Sequence, residues 1–301
     1  MSPLLRLYLG FSQVSGPIWR YFIRKRLKKG KEVPGRVGEK FGTYPGPRPA
    51  GPVIWCHALS VGESLALVPL IQRALSDDPD LNIVLTTSTA TSVAALDRAR
   101  LPERATHVLL PVDTAQAVGR FLDHWRPEAA VFAELDFWPR LMHDTHARGI
   151  PMILVNSRMS DKSARTRGRL GGMMRDILGM FDALLIQDEA SAELFRALGA
   201  PADRVRVVGP LKSAARPLPA DEGLLAEMQS AIGDRPVWLA AATERSEHPA
   251  VVAATVRLAE RSPGLLTIIA PRYIEDGGPL ADLFRAEGLS VAMRSAGDAV
   301  E

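Results

Sequence analysis

Between Val53 and Val208 short apolar runs recur at intervals too long for hairpins, and this spacing constrains the fold more than any other feature of the chain. The runs are Val53–Cys56, Ile83–Thr86, His107–Leu110, Ala129–Ala133, Met152–Val155, Ala183–Ile186 and Val205–Val208. Helical patterns of about ten to fifteen residues separate them, and strands joined by helices pair in parallel, because a parallel pair needs a crossover of about that length. The expected class is α/β, a doubly wound, Rossmann-like sheet.

A Pro- and Gly-rich connector, Tyr44 to Pro52, precedes this region, and a linker begins at Ala214 with Pro217 and Pro219. The pattern then restarts: a strand at Val237–Ala241, a helix at Pro249–Arg261, a strand at Leu265–Ala270, a helix at Leu280–Glu287 and a strand at Ser290–Met293. This reads as the opening of a second Rossmann-like domain. The expected divisions are 1–32, an N-terminal segment; 33–213, the first domain; 214–235, the linker; and 236–301, a partial second domain. Three strands leave one edge and much of a face uncovered, so further chain or a pairing partner is expected.

The 301 residues, 47% hydrophobic and 24% charged, are too many for one ordinary domain and too apolar for disorder. Lys and Arg exceed Asp and Glu by 37 to 34, a net +3 that argues against nucleic-acid binding through overall charge. The single cysteine, Cys56, allows no intramolecular disulfide and no cysteine-based metal site; it is expected inside a buried strand.

From Pro3 to Ile23 the chain is apolar and aromatic, interrupted by Arg6, Gln13, Gly16-Pro17 and Arg20, and followed by Arg24, Lys25, Arg26, Lys28, Lys29 and Lys31. No small-residue cleavage site follows the apolar stretch, so a cleaved signal peptide is not expected. Charges at bilayer depth disfavour a spanning helix. Aromatics beside a basic run suit an interfacial helix on an anionic lipid surface, while the alternative is an amphipathic helix packed on the domain with a solvated basic end.

Candidate chemistry collects where strands end, since ligands of open α/β sheets bind beyond the carboxyl ends of the strands. The first strand runs into Ser60-Val61-Gly62-Glu63 before a helix. Glu63 is placed either to accept a proton from a hydroxyl or simply to stabilise a helix start. The fourth strand runs into Glu134-Leu135-Asp136-Phe137-Trp138-Pro139; on extended chain these two carboxylates face one way, to bind metal, stabilise charge or sit in solvent. Thr86 to Ser92 supplies hydroxyls for phosphate or sugar, or for capping. Arg158, with Lys162, Arg165, Arg167, Arg169 and Arg175, forms either an anion clamp or a solvated face.

Taken in order, these segments resemble the 3-deoxy-D-manno-octulosonic acid (Kdo) transferases, which have a GT-B fold. The resemblance rests on SVGE at Ser60–Glu63, E-x-D-x-WP at Glu134–Pro139, NSRMSDKS from Asn156, Gln187-Asp188, G-x-L-K at Gly209–Lys212 and RVGEKFG from Arg36. It implies an inverting, metal-independent transfer of Kdo from CMP-Kdo to the lipid A precursor, without a cofactor, at the cytoplasmic face of the inner membrane. Residues 33–213 would then bind the acceptor and 236–301 form part of the CMP-Kdo domain. Glu63 is similar to the proton acceptor, and Glu134 and Lys212 to groups stabilising the transition state. Ser60, Gly62, Asp136 and Arg158 match substrate contacts, and Pro271-Arg272 the first CMP-Kdo contact. Departures are Ala242–Glu247, where the family has a Ser-Thr-His-Glu-Gly-Glu-like segment, Asp136 in place of glutamate, and Tyr273 in place of histidine. The competing readings are an acceptor-binding homologue without catalysis and a different GT-B nucleotide-sugar enzyme.

Overall fold

The computed structural model of the protein describes residues 1–211 and 220–299. They form two compact units, 1–216 and 217–301. In the first unit two helices, α1 (Pro3–Val14) and α2 (Gly16–Lys28), precede seven strands: β1 (Val53–Ala58), β2 (Asn82–Thr87), β3 (Ala105–Leu109), β4 (Ala129–Ala133), β5 (Met152–Ser157), β6 (Ala183–Ile186) and β7 (Val205–Val207). Between them lie α3 (Val61–Asp77), α4 (Ala90–Ala99), α5 (Ala115–Trp125), α6 (Pro139–Ala147), α7 (Asp161–Gly168), α8 (Gly172–Leu178) and α9 (Glu189–Ala197). All seven expected runs are strands, and all pair in parallel in the order β3-β2-β1-β4-β5-β6-β7. The order reverses between β1 and β4, the topological switch point of a doubly wound sheet.

Alternating residues of β1 serve two layers. Val53 and Trp55 enter one core with α1, α5, α6, α8 and α9, while Cys56 and Ala58 enter the other with α3. The Trp55 ring is fully buried edge-on to Phe121 and Phe132, with centroids 4.8 and 5.0 Å away, the offset geometry that aromatic quadrupoles favour. Burial pushes the Cys56 thiol up to about 12, so it behaves as a small apolar residue.

The N-terminal segment is built into this unit. Leu5 and Leu9 on α1 are buried in the main core, and α1 contacts α5, α6 and α8. A buried carboxylate secures the contact: Tyr8 Oη donates to Asp113 Oδ2 at 2.6 Å, and the amides of Arg140 and Leu141 at the start of α6 donate to Asp113 at 3.0 and 2.8 Å. Burial pushes the Asp113 carboxyl up to about 6, against the pull of those three donors. Its proton is therefore bound more tightly in the folded state. The resulting stabilisation is fully present below about pH 4 and is lost as pH rises through about 6. In urea titrations the stability advantage of the parent over Asp113→Ala should narrow by on the order of 3 kcal/mol between about pH 4 and pH 7. An advantage that widens over that range would mean the hydrogen-bond donors outweigh burial.

The segment Pro34–Phe41, a 3-10 turn, closes the exposed edge of β3. Glu39 accepts a 2.7 Å hydrogen bond from the Leu109 amide, and Arg36, paired with Glu39, donates to the His107 carbonyl at 2.7 Å. An edge strand covered in this way offers no template for another chain. Gly42 ends the turn with φ +78°, and a Cβ there would lie 2.5 Å from Arg120 Cβ, so only glycine fits.

The second unit contains α10 (Glu222–Ile232), β8 (Val237–Thr243), α11 (His248–Arg261), β9 (Leu266–Pro271) and α12 (Gly277–Ala286). Two features differ from expectation. Residues 222–232, assigned to the linker, form a helix capped by Asp221, whose side chain accepts from the Leu224 amide. The strand expected at Ser290–Met293 is absent, and β8 and β9 are the two strands of this unit among the described residues. The Met293 amide instead donates to Asp298 Oδ2 at 2.8 Å and its carbonyl accepts from Ala296 and Asp298, so local turns take the groups a ladder would need.

Candidate functional site

The loops after β1 and β4 flank the switch point of the first sheet, and each carries an expected acidic residue. After β1 the chain turns into α3 through a capping box. Ser60 Oγ accepts from the Glu63 amide, while the Glu63 carboxylate accepts from the amides of Leu59 and Ser60 at 2.9 and 3.2 Å and from Ser60 Oγ at 2.8 Å. Glu63 thus does satisfy the helix start. The same contacts fix the orientation of a half-buried carboxylate at the sheet's carboxyl edge. Three of its roughly four lone-pair positions are occupied, which leaves Oε1 one acceptor position. Gly62 is exposed, with nothing of the chain within 4 Å of where a Cβ would stand.

After β4 the backbone does not stay extended, as the sequence reading assumed. Glu134 adopts φ +66°, and the Asp136 amide bonds back to the Glu134 carbonyl at 3.2 Å, so the two carboxylates occupy a tight turn. The Asp136 oxygens are used within the protein: Oδ1 accepts from the Phe137 amide at 2.8 Å, and Oδ2 accepts from the Trp138 indole. His57, fully buried at the end of β1, places Nε2 at 3.5 Å from Asp136 Oδ2. Burial raises the Asp136 carboxyl, but the contacts with His57, Phe137 and Trp138 outweigh it and hold the group below the ordinary carboxylate range. Arg167 on α7 donates to the Leu135 carbonyl at 2.7 Å. Burial lowers the Arg167 guanidinium, while the charges of Asp136 and Glu134 oppose that shift.

A second positive-φ residue ends β5. Asn156, at φ +55°, accompanies a register shift between β5 and β6; its Oδ1 accepts from the Leu211 amide at 3.0 Å and its carbonyl accepts from Gln187 at 2.6 Å. Non-glycine residues in this conformation are uncommon and gather at functional sites. Here two occupy neighbouring strand ends beside the switch point. Lys212, the residue after Leu211, lies outside the described residues.

Arg158 is largely exposed, its guanidinium 3.9 Å from Asp188 Oδ2. The hydroxyl row is mostly committed internally: Thr86 and Thr87 are buried, bonded to Trp55 and to His107, and Thr89 caps α4 through the Ser92 amide. In the second unit Arg272 Nη1 lies 2.9 Å from Glu244 Oε1, and Pro271 ends β9. Among the described residues no group of three or more His, Cys, Asp or Glu is arranged to hold a metal ion.

His57 and Arg167 carry more of this site than the sequence reading gave them. Parity was the available signal for His57: it shares a strand face with Trp55 in a run otherwise apolar, and a polar residue there needs a buried partner.

Residues 35–215 match the family model described as 3-deoxy-D-manno-octulosonic-acid transferase (kdotransferase). Named relatives include a probable mitochondrial 3-deoxy-D-manno-octulosonic acid transferase of Arabidopsis thaliana, 31% identical over 96% of this chain and 66% of its own length. The transferases of Haemophilus influenzae and Rickettsia bellii are 29% and 30% identical, each over 98% of this chain and over 66% and 70% of their own lengths. The chain therefore spans about two thirds of the relatives it matches. Among solved structures, a Listeria monocytogenes putative UDP-N-acetylglucosamine 2-epimerase aligns at TM-score 0.53 and 13% identity over 79% of this chain and 66% of that one. A Rickettsia africae glycosyltransferase aligns at TM-score 0.53 and 9% identity over 80% and 66%. At such identities the likeness establishes the GT-B-like fold alone.

Proposed function

Because the chain belongs to the 3-deoxy-D-manno-octulosonic-acid transferase family, we propose that it transfers Kdo from CMP-Kdo to a hydroxyl of the lipid A precursor, with Glu63 as the general base. The observation carrying this reading is the fixed Glu63 carboxylate at the switch point, with one Oε1 acceptor position left. As the acceptor oxygen attacks the anomeric carbon of Kdo and the bond to the CMP phosphate breaks, that oxygen passes its proton to Glu63. Attack from the face opposite the leaving group inverts the anomeric configuration. Glu134 and Lys212 offset charge in the transition state, and Arg158 meets an anionic group of the acceptor. Arg272 contacts the donor. No step requires a metal.

The decisive assay incubates this chain with CMP-Kdo and the tetra-acylated lipid A precursor and reads product by mass. A Kdo-sized gain that disappears in Glu63→Gln supports the transferase. No gain with the lipid still bound favours an acceptor-binding homologue, and competition by UDP-sugars but not by CMP points to another nucleotide-sugar enzyme.

We place this chemistry at an anionic membrane surface, the cytoplasmic face of the inner membrane. No helix among the described residues is long and apolar enough to cross a bilayer. Leu4, Leu7, Phe11, Val14, Ile18 and Tyr21 form an exposed stripe along α1 and α2 at helical spacing, and Arg20, Arg24, Lys25 and Lys28 are exposed beside it. That pairing of apolar and basic surface suits interfacial binding. Leu7→Ser with Phe11→Ser should weaken sedimentation with phosphatidylglycerol vesicles about tenfold or more and leave the melting temperature nearly unchanged. Undiminished vesicle binding by that variant would remove the stripe from the membrane contact.

A further inference from the structure

The turn that carries Glu134 is held by a buried polar chain crossing three strands. Trp55 Nε1 donates to Thr86 Oγ1 at 2.8 Å, and His57 Nδ1 lies 2.9 Å from Thr86 Oγ1 and 3.2 Å from the Thr86 carbonyl. The Thr86 carbonyl can only accept, so the Nδ1 hydrogen points at it, and the Thr86 hydroxyl, having accepted from Trp55, gives its own proton to the Cys56 carbonyl. Nε2 faces Asp136 Oδ2 at 3.5 Å, a polar contact rather than a hydrogen bond, and among the described residues Nε2 has no hydrogen-bond partner.

Asp136 is the hub of this chain. The Phe137 amide and the Trp138 indole occupy it from its own turn, and His57 approaches from β1, which pairs with both β2 and β4. With its oxygens committed inward, Asp136 is poorly placed to contact a substrate. What it can do is fasten the turn to the sheet and keep Glu134 in a left-handed conformation that non-glycine residues adopt only under constraint.

We propose that His57 and Asp136 are a coupled pair of positioning residues: Asp136 locks the Glu134–Trp138 turn onto the end of β1 through His57, and so presents Glu134 at the switch-point crevice. The effect on turnover rests on the transferase reading above; the effect on the turn does not. Removing the imidazole that faces Asp136 loosens the turn at Glu134, and a displacement there of about 1 Å costs rate rather than acceptor binding.

The test uses the whole chain with three substitutions. His57→Phe fills the site without a polar group, His57→Gln returns a polar side chain to face Asp136, and Asp136→Asn keeps the shape while removing the charge. The first readout needs no activity: the indole N–H resonance of Trp138, assigned with Trp138→Phe, shifts in His57→Phe and in Asp136→Asn and returns toward the parent position in His57→Gln. In the transferase assay His57→Phe lowers kcat on the order of 30-fold with acceptor KM changed less than about threefold, and Gln recovers most of the loss. The His57→Phe, Asp136→Asn double variant is no slower than the worse single variant, because both break one connection. An unmoved Trp138 resonance in a folded His57→Phe protein, or losses that add in the double variant, would overturn the pair. A parent chain without turnover overturns the transferase reading alone, and the Trp138 resonance then decides the pair.

Discussion

Glu63→Gln is expected to lower turnover by about 10²- to 10⁴-fold, the range over which a positioned general base contributes, while leaving the unfolding free energy within about 1 kcal/mol of the parent. The two effects separate because the capping box gives Glu63 two duties. Its carboxylate accepts from the amides of Leu59 and Ser60 and from Ser60 Oγ, and a Gln side chain at this third helical position accepts similar hydrogen bonds. With Gln Oε1 taking the two amides, its nitrogen can donate to Ser60 Oγ where the carboxylate accepted, and what the amide lacks is basicity. Glu63→Ala removes cap and base together, and a cap alone is worth about 0.5 to 2 kcal/mol, so a loss of activity in that variant would not distinguish a base from a helix-start residue. The Gln variant does. Turnover within a few-fold of the parent in folded Glu63→Gln protein would reduce Glu63 to a capping residue and leave the crevice without a base from that loop. A loss accompanied by a lower melting temperature would return the question to folding.

The framework of the site was legible because each of its signals is local. Ala183–Ile186 is apolar throughout and Ile83–Thr86 is so but for Thr86, as strands buried on both faces must largely be, and Ser60 three residues before Glu63 is a capping box written in the chain. The switch point followed only once the strand order was known, since nothing local tells β4 to pair with β1. The features that escaped depend on partners distant in sequence. The turn at Glu134 looks extended until Asp136 is seen gripping the Phe137 amide and the Trp138 indole, with His57 approaching from β1. Arg167 belongs by composition to a basic stretch, yet it donates to the Leu135 carbonyl. Ser290–Met293 has the apolar content of a strand, and Asp298 decides against one by capturing the Met293 amide. Pro217 and Pro219 mark a connector so strongly that Asp221 reads as part of it, whereas its side chain caps α10.

Lys40→Met should cost about 3 to 5 kcal/mol of folding stability, the largest structural loss expected from a substitution outside the two main cores. Lys40 Nζ lies 3.2 Å from Glu32 Oε2 and donates to the Ser88 carbonyl at 3.1 Å, with both side chains almost wholly buried. Burial lowers the Lys40 ammonium, and the Glu32 charge opposes that shift. Methionine matches the apolar stem and removes the charge. Glu32 is then a buried carboxylate answered, among the described residues, from one side by Arg26, and the Ser88 carbonyl loses the Lys40 donor. Desolvation makes a broken buried pair far more costly than an absent one, so Glu32→Gln with Lys40→Met should recover part of the loss. Urea titration of the two single variants and the double variant checks this. If the double variant is as unstable as the sum of the singles, the ions are not coupled and the cost lies in packing. The location gives the pair its consequence for function. Ser88 stands between β2 and the Thr89 cap of α4, beside the β1 loop that carries Glu63, and Lys40 joins it to the turn covering the β3 edge. A folded Lys40→Met protein should therefore show its earliest amide-exchange losses at the β2–α4 loop and the β3 edge, because those are the two elements the ammonium holds together.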